Sequence, residues 1–435
     1  MMKHGAKFAC THAKTVHAGL GQHNLTQDTR GLTPSRIFTC STARYFSATS
    51  LPLNRNRDQE GIHNSGKKLF TPGPLCTSKT VKEAMLLDYG SRDTTFIETV
   101  KYIREKLLDV AGVDPSQYTC VPLQGSGTYA LEAVISSTVP RQGGKVLVLA
   151  NGAYGMRVSR ICKAHNIDHV LCRFPDEEKV RVEVVEEALK QDTFTNVSIV
   201  HCETSSGVIN PVEDVGLLLK RYTDATYFVD AMSSFGAIPL DMVACGVDYL
   251  VSSANKCIEG IPGFSYVIAN REKLFNSKGW SRTLSFDLVE QCEGLDQNGQ
   301  FRFTPPTHVM LAFKQALIEL EQEGGVKGRA RRYKENRSVL RDGMTKLGFR
   351  ELLDDSHRGY IITSYHFPND PNFDFKTFYT RLGDLDQVIY PGKMTEVDCF
   401  RIGNIGHLFP ADMRKLLDCI EHVCNEMRLK IPIVG

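Results

Sequence analysis

The sequence predicts an α/β fold in which a large domain, wound around a mostly parallel sheet, is followed by a smaller C-terminal α+β domain. Three observations predict it. Short apolar runs alternate with helix-like segments from about Lys67 to Ile268, the pattern of successive βα units. Two of the runs, Phe228-Val229 and Tyr249-Leu250-Val251, give way at once to polar residues, as buried parallel strands do where they reach a ligand-binding edge. Beyond Thr304-Pro305-Pro306-Thr307 the alternation stops, and two long helix patterns precede a few scattered strand signals.

The elements follow in order. Leu69-Phe70-Thr71-Pro72-Gly73-Pro74 reads as an extended arm with turn chemistry, ahead of helix patterns at Ser78 to Leu87 and Phe96 to Leu108. Strands are expected at Val146-Leu147-Val148-Leu149, at Ser198-Ile199-Val200-His201, in the runs that end near Asp230 and Lys256, and at Tyr266-Val267-Ile268. An amphipathic helix is expected from His308 to Gln322 and a highly charged one from Val326 to Lys346. The small domain should hold strands at Tyr360-Ile361-Ile362-Thr363 and Phe400-Arg401-Ile402, then a last helix from Pro410, a favoured helix start, to about Met427. The expected division is 1–66 as an extension, 67–307 as arm and large domain, and 308–435 as small domain.

Composition narrows the function. A chain of 435 residues, 42% hydrophobic and 23% charged, has ample core for two domains. A formal charge of +2 exerts no global pull on nucleic acid or anionic lipid, and the apolar runs fall short of the roughly 18 residues of a membrane span. Small-molecule partners are therefore expected, with neither nucleic acid nor membrane. The 13 cysteines show no paired ligand spacing, so they read as reduced thiols, and no metal site is assigned.

The chemistry centres on Lys256, which lies 26 residues beyond Asp230. A lysine can hold pyridoxal phosphate as a Schiff base, and an aspartate can keep the pyridine nitrogen protonated so that the ring accepts electrons from a substrate carbanion. Either residue alone at a strand end is ordinarily a solvated turn residue. A third element gives the pair weight: Gln124-Gly125-Ser126-Gly127-Thr128 precedes a helix pattern, where bare N–H groups and two hydroxyls can converge on a phosphate.

The N-terminal extension differs from the rest. Between Met1 and Arg57 there are eight Lys or Arg and one acidic residue, Asp28, with many Ser, Thr and His. That composition predicts a mitochondrial transit peptide, with Arg44-Tyr45-Phe46-Ser47-Ala48-Thr49-Ser50 as its processing site, and a matrix location; a cytoplasmic location is the alternative.

Taken together, Thr71-Pro72-Gly73-Pro74, Gln124-Gly125-Ser126-Gly127-Thr128, Asn151-Gly152-Ala153-Tyr154-Gly155, His201-Cys202-Glu203-Thr204-Ser205-Ser206-Gly207, Val229-Asp230-Ala231-Met232-Ser233-Ser234-Phe235-Gly236 and Ser252-Ser253-Ala254-Asn255-Lys256-Cys257 resemble the class V pyridoxal-phosphate aminotransferases of fold type I. The resemblance runs from about Leu69 to the C-terminus. It implies transfer of an amino group from an amine to a keto acid, with Lys256 as the Schiff-base lysine and Asp230 as partner of the ring nitrogen. It also implies that Ser126, Gly127 and Thr128 hold the phosphate with Asn255 beside it, that Tyr154 stacks on the cofactor, that Met232 packs on the opposite face, and that Thr204 lies near the phenolic oxygen. Thr304 matches a phosphate ligand donated by a second subunit, which implies a homodimer with shared active sites. Phe301 departs from the pattern, standing where some relatives have tyrosine.

Arg401 corresponds to the arginine that binds the substrate acid group, where a planar fork suits a carboxylate or phosphonate. Arg92 is a second candidate for an extra anionic charge. Within the same fold, an alanine–glyoxylate or serine transaminase is the alternative activity. A cysteine desulfurase is disfavoured because Asn255, not histidine, precedes the lysine.

Overall fold

The computed structural model describes residues 66–392 and 397–433, together with the two-residue strand Thr11–His12. The expectations placed on the extension, the Arg44 to Ser50 cluster included, lie outside the described residues.

Five strands form the parallel part of the sheet, in spatial order Asp168–Arg173, Lys145–Ala150, Asn196–Val200, Thr226–Asp230 and Tyr249–Ser253. In the last four of these the side chains are nearly all buried because helices cover both faces, which is why they read as continuous apolar runs rather than alternating ones. Phe264–Asn270 is the exception to the expected βα pattern: it runs antiparallel to both of its neighbours, Tyr249–Ser253 and Tyr118–Gln124. The connection from Ser253 to Phe264 is too short for a crossover helix, so the chain must turn straight back. Lys256 sits on that turn, next to the carboxyl end of the Asp230 strand.

Helix Thr307–Gln322 packs Met310, Phe313, Ala316, Leu317 and Leu320 into the core of the large sheet. The core therefore changes after this helix, near Gly324-Gly325, and not at the expected boundary before it. Helix Gly325–Leu347 then supplies Leu340, Met344 and Leu347 to a second core. In that core an antiparallel sheet pairs Ile362–His366 with Cys399–Gly403, slightly later than the strand expected at 360–363, and Phe349, Tyr365, Phe378 and Phe400 pack ring against ring. The arm belongs here too: Lys68–Leu69 pairs with Gln387–Val388 and Phe70 is fully buried in the second core.

Among the described residues every cysteine is free and all but Cys76 are buried. None of the described helices is long and apolar enough to cross a membrane.

Candidate active site

At the carboxyl edge of the sheet, Asp230 is the last residue of its strand, and one carboxylate oxygen, Oδ1, accepts the backbone N–H of Met232 at 2.9 Å. The other, Oδ2, is buried with no hydrogen-bond partner among the described residues. Burial pushes the Asp230 pKa up to about 6, outweighing the Met232 bond and the attraction of Lys256 and Arg157. An unpartnered buried carboxylate oxygen is costly by itself, and it is the acceptor a protonated ring nitrogen requires.

Lys256 extends from the turn after Tyr249–Ser253, and its Nζ donates to the carbonyl of Pro72 at 2.8 Å. Burial drives its pKa down to about 8 even though the Asp230 charge pulls the other way. The arm closes over it at Gly73, where φ is +113° and a Cβ would lie 2.5 Å from the Asn255 carbonyl and 2.9 Å from Lys256 Cδ; only glycine fits. The Asn255 side chain accepts from Ser253 Oγ at 3.2 Å.

Ser126 sits at the N-cap of helix Gly127–Thr138 in an extended conformation, yet its hydroxyl does not cap the helix. The first N–H groups of the helix therefore lie beside the Ser126 and Thr128 hydroxyls, an arrangement that suits an anion. Thr128 Oγ1 accepts from Arg157 Nη1 at 2.9 Å. Met232 packs directly on Gly127, where a Cβ would overlap its sulfur.

Arg401 lies in the strand Cys399–Gly403 of the small-domain sheet. Arg401, 1% exposed, donates through Nε and Nη2 to the carbonyl of Pro391 at 3.0 and 2.8 Å and through Nη1 to the carbonyl of Thr204 at 2.7 Å, and its guanidinium lies 4.7 Å from the Tyr390 ring centre. A guanidinium has five N–H donors, so these three bonds leave one N–H on each terminal nitrogen. Thr204 Oγ1 shares a hydrogen bond with Ser233 Oγ at 2.7 Å. Tyr154 lies in the first turn of helix Ala153–Ala164 with the Arg157 guanidinium 4.8 Å over its ring, and burial raises its hydroxyl pKa while Arg157 and Arg401 pull it down.

One expected residue stands apart from this cluster: Arg92 is exposed on the turn before helix Thr94–Ala111. Thr304 is exposed on the segment before helix Thr307–Gln322, and its carbonyl accepts from the side chain of Gln124, at the start of the Gly125–Thr128 turn. Two residues were not foreseen. Arg157 lies just past the quoted Asn151–Gly155 motif, one helical turn from Tyr154, a spacing that could have flagged it. Glu203 lies inside a quoted motif, but its role depends on a helix start distant in sequence.

The pattern that defines the family described as Aminotransferase class-V matches residues 87–381. The chain belongs to this family, and it is a pyridoxal-phosphate-dependent aminotransferase of fold type I. Among curated relatives, a 2-aminoethylphosphonate–pyruvate transaminase of Bacillus cereus is 49% identical over 354 residues, covering 81% of this chain and 96% of the relative. A bifunctional phosphonoacetaldehyde hydrolase/aminoethylphosphonate transaminase of Clostridioides difficile is 47% identical over 82% of this chain, which spans only 56% of that longer relative. Among solved structures, pyridoxamine–pyruvate aminotransferase from Mesorhizobium loti matches with a TM-score of 0.77 over 86% of this chain and 95% of that one, at 23% identity, a likeness of fold.

These relatives correct one expectation. They come from bacteria, which have no mitochondrion, so the mitochondrial location and transit peptide read from the basic extension do not stand. Composition alone is a weak address, because a basic, acid-poor stretch serves equally well as a polar extension.

Proposed function

We propose that this chain transfers the amino group of 2-aminoethylphosphonate to pyruvate, giving phosphonoacetaldehyde and L-alanine. The observation that carries the reading is the 49% identity to a transaminase of that name along 96% of its length. The free N–H pair of Arg401 supports it, since either a phosphonate or the pyruvate carboxylate can accept that fork.

When bound, pyridoxal phosphate supplies an electron sink for the carbon that bears the amine. The residues present fit it. Asp230 Oδ2 offers a buried anionic acceptor to the ring nitrogen, Ser126, Gly127 and Thr128 offer donors to its phosphate with Asn255 alongside, and Tyr154 and Met232 flank the ring. The Thr204 hydroxyl, already paired with Ser233, would supply a hydrogen bond to the phenolic oxygen.

Lys256 moves the proton. With pyridoxal phosphate bound, the Lys256 Nζ would be the base that takes a proton from the amine-bearing carbon and holds it for return. A base needs a pKa near the working pH, and burial has already brought this lysine to about 8. Arg401 holds the acid head of each substrate in turn, so both half-reactions share one orientation and the kinetics are ping-pong.

Two copies are expected to complete the site. Thr304 is exposed, and Leu284 and Phe303, 70% and 44% exposed, offer apolar surface to a second copy on the same side.

The test is a coupled assay for alanine formed from pyruvate, comparing 2-aminoethylphosphonate with serine and other amines, and a parallel assay with glyoxylate as acceptor. Turnover with 2-aminoethylphosphonate at least tenfold above every other amine is expected; preference for a carboxylate amine with glyoxylate would overturn the assignment.

A further inference from the structure

Helix Ala153–Ala164 begins without a capping side chain of its own. Gly152 occupies the N-cap and the first-turn N–H groups point into the protein. They are met there by Glu203, which is fully buried and comes from the end of a neighbouring strand segment. Glu203 Oε2 accepts the N–H of Tyr154 and of Gly155, each at 3.2 Å. Oε1 accepts the N–H and the hydroxyl of Ser205, at 3.1 and 2.5 Å. Ser205 Oγ in turn accepts the N–H of Ala153 at 3.3 Å, so the first three helical N–H groups are all taken up by this pair.

Two features show that the contact is built rather than incidental. Gly152 has no Cβ, and a Cβ there would lie 2.5 Å from Glu203 Cγ and Cδ and would also overlap Ser205 Oγ. Moreover, Thr204, held between Glu203 and Ser205, is the residue whose carbonyl Arg401 grips at 2.7 Å. One buried carboxylate therefore ties together the helix start that carries Tyr154 and the loop against which Arg401 is braced.

We propose that Glu203 is a positioning residue that caps this helix from outside and thereby fixes the tyrosine face against which the cofactor ring lies. The proposal rests on the functional reading above and deepens it. Glu203 does not touch the reacting atoms; it acts through Tyr154. Burial raises its pKa, and the hydrogen bonds from Ser205, Gly155 and Tyr154 oppose that rise, as they would for a carboxylate held at a helix start.

The experiment is a double-mutant cycle of Glu203→Gln and Tyr154→Leu, read by the dissociation constant for pyridoxal phosphate in titrations of the cofactor-free protein, by visible circular dichroism of the loaded protein, and by kcat and KM for each half-reaction. In the wild-type background, Glu203→Gln should weaken cofactor binding roughly tenfold, the scale of losing a charged hydrogen-bond acceptor, and should change the dichroic band. In the Tyr154→Leu background it should cost less than about twofold, because the group it positions is gone. Equal losses in both backgrounds would overturn the proposal. If Glu203→Gln does not fold, Ser205→Ala, which removes one donor to the carboxylate and the bond to Ala153, enters the same cycle with the same criterion. A wild-type chain that takes up no pyridoxal phosphate would overturn the functional reading and the proposal with it, whereas uptake with additive losses would overturn the role of Glu203 alone.

Discussion

Asp230 at the sheet edge and Arg401 in the small-domain sheet are equally buried, at 1% exposure each, but their polar atoms are treated in opposite ways. Among the described residues Asp230 keeps one carboxylate oxygen without a partner, and Lys256 beside it donates to a single carbonyl with its cation disfavoured. Arg401 is clamped by two backbone carbonyls and an aromatic ring before any substrate arrives. The sheet end stores unmet electrostatic demand that a cofactor relieves, whereas the small-domain strand is preorganised and asks little of its ligand. Reactive groups need shifted pKa values, which burial without partners supplies; a recognition group needs fixed geometry, which partners supply.

The largest expected effect at the demanding end is on rate. Asp230→Ala should still admit cofactor but lose about 3–4 kcal/mol of transition-state stabilisation, the scale of removing one preorganised electrostatic group, or some two to three orders of magnitude in kcat. Stopped-flow measurement of the amine half-reaction checks this, and near-normal turnover would erase the distinction between the two ends.

The same demand should be visible as stability in the cofactor-free protein. The folded pKa of Asp230 is raised, to about 6 from 3.8, so the folded state binds more protons than the unfolded state between those values. Stability must then fall as pH rises through that window, by up to about 3 kcal/mol at 1.36 kcal/mol per unit. Asp230→Asn should be more stable than wild type at pH 7 without cofactor, with the advantage fading below about pH 4. Urea denaturation of both proteins at pH 4 and 7 is the measurement, and an Asn variant less stable at pH 7 would contradict the account.

At the preorganised end, Arg401→Lys keeps the charge but loses the fork. It should weaken both half-reactions together by about 2 kcal/mol, the lower end for a desolvated charged contact. If only the amine half-reaction suffers in single-turnover spectroscopy, the phosphonate and the carboxylate use different anchors. The smallest effect is expected from Tyr154→Leu, about 1.5 kcal/mol in cofactor affinity, the upper end of what stacking adds beyond the area it covers.

Much of this site was legible in the sequence for a physical reason. Asp230, Lys256 and the Gly125–Thr128 turn sit where apolar runs end, and a parallel sheet brings such ends to one edge whatever the rest of the fold does. Arg401 was legible because arginine flanked by Phe400 and Ile402 in a strand has to be buried and therefore partnered. The antiparallel return of Phe264–Asn270 could have been read from the shortness of its connection but was absorbed into the βα rhythm. The change of core after helix Thr307–Gln322 was not legible, because amphipathicity says that a helix has an apolar face and not which core receives it. Glu203 was hidden for a similar reason: nothing local marks a carboxylate whose partners are N–H groups at the start of a distant helix.

The central claim is that Lys256 is the cofactor-bearing base, and the most direct measurement is borohydride reduction of the protein loaded with pyridoxal phosphate, followed by peptide mapping. The account predicts visible absorbance before reduction, a single reduced adduct on Lys256, and neither adduct nor turnover in Lys256→Ala. A colourless protein after incubation with pyridoxal phosphate, or an adduct on any other lysine, would contradict it.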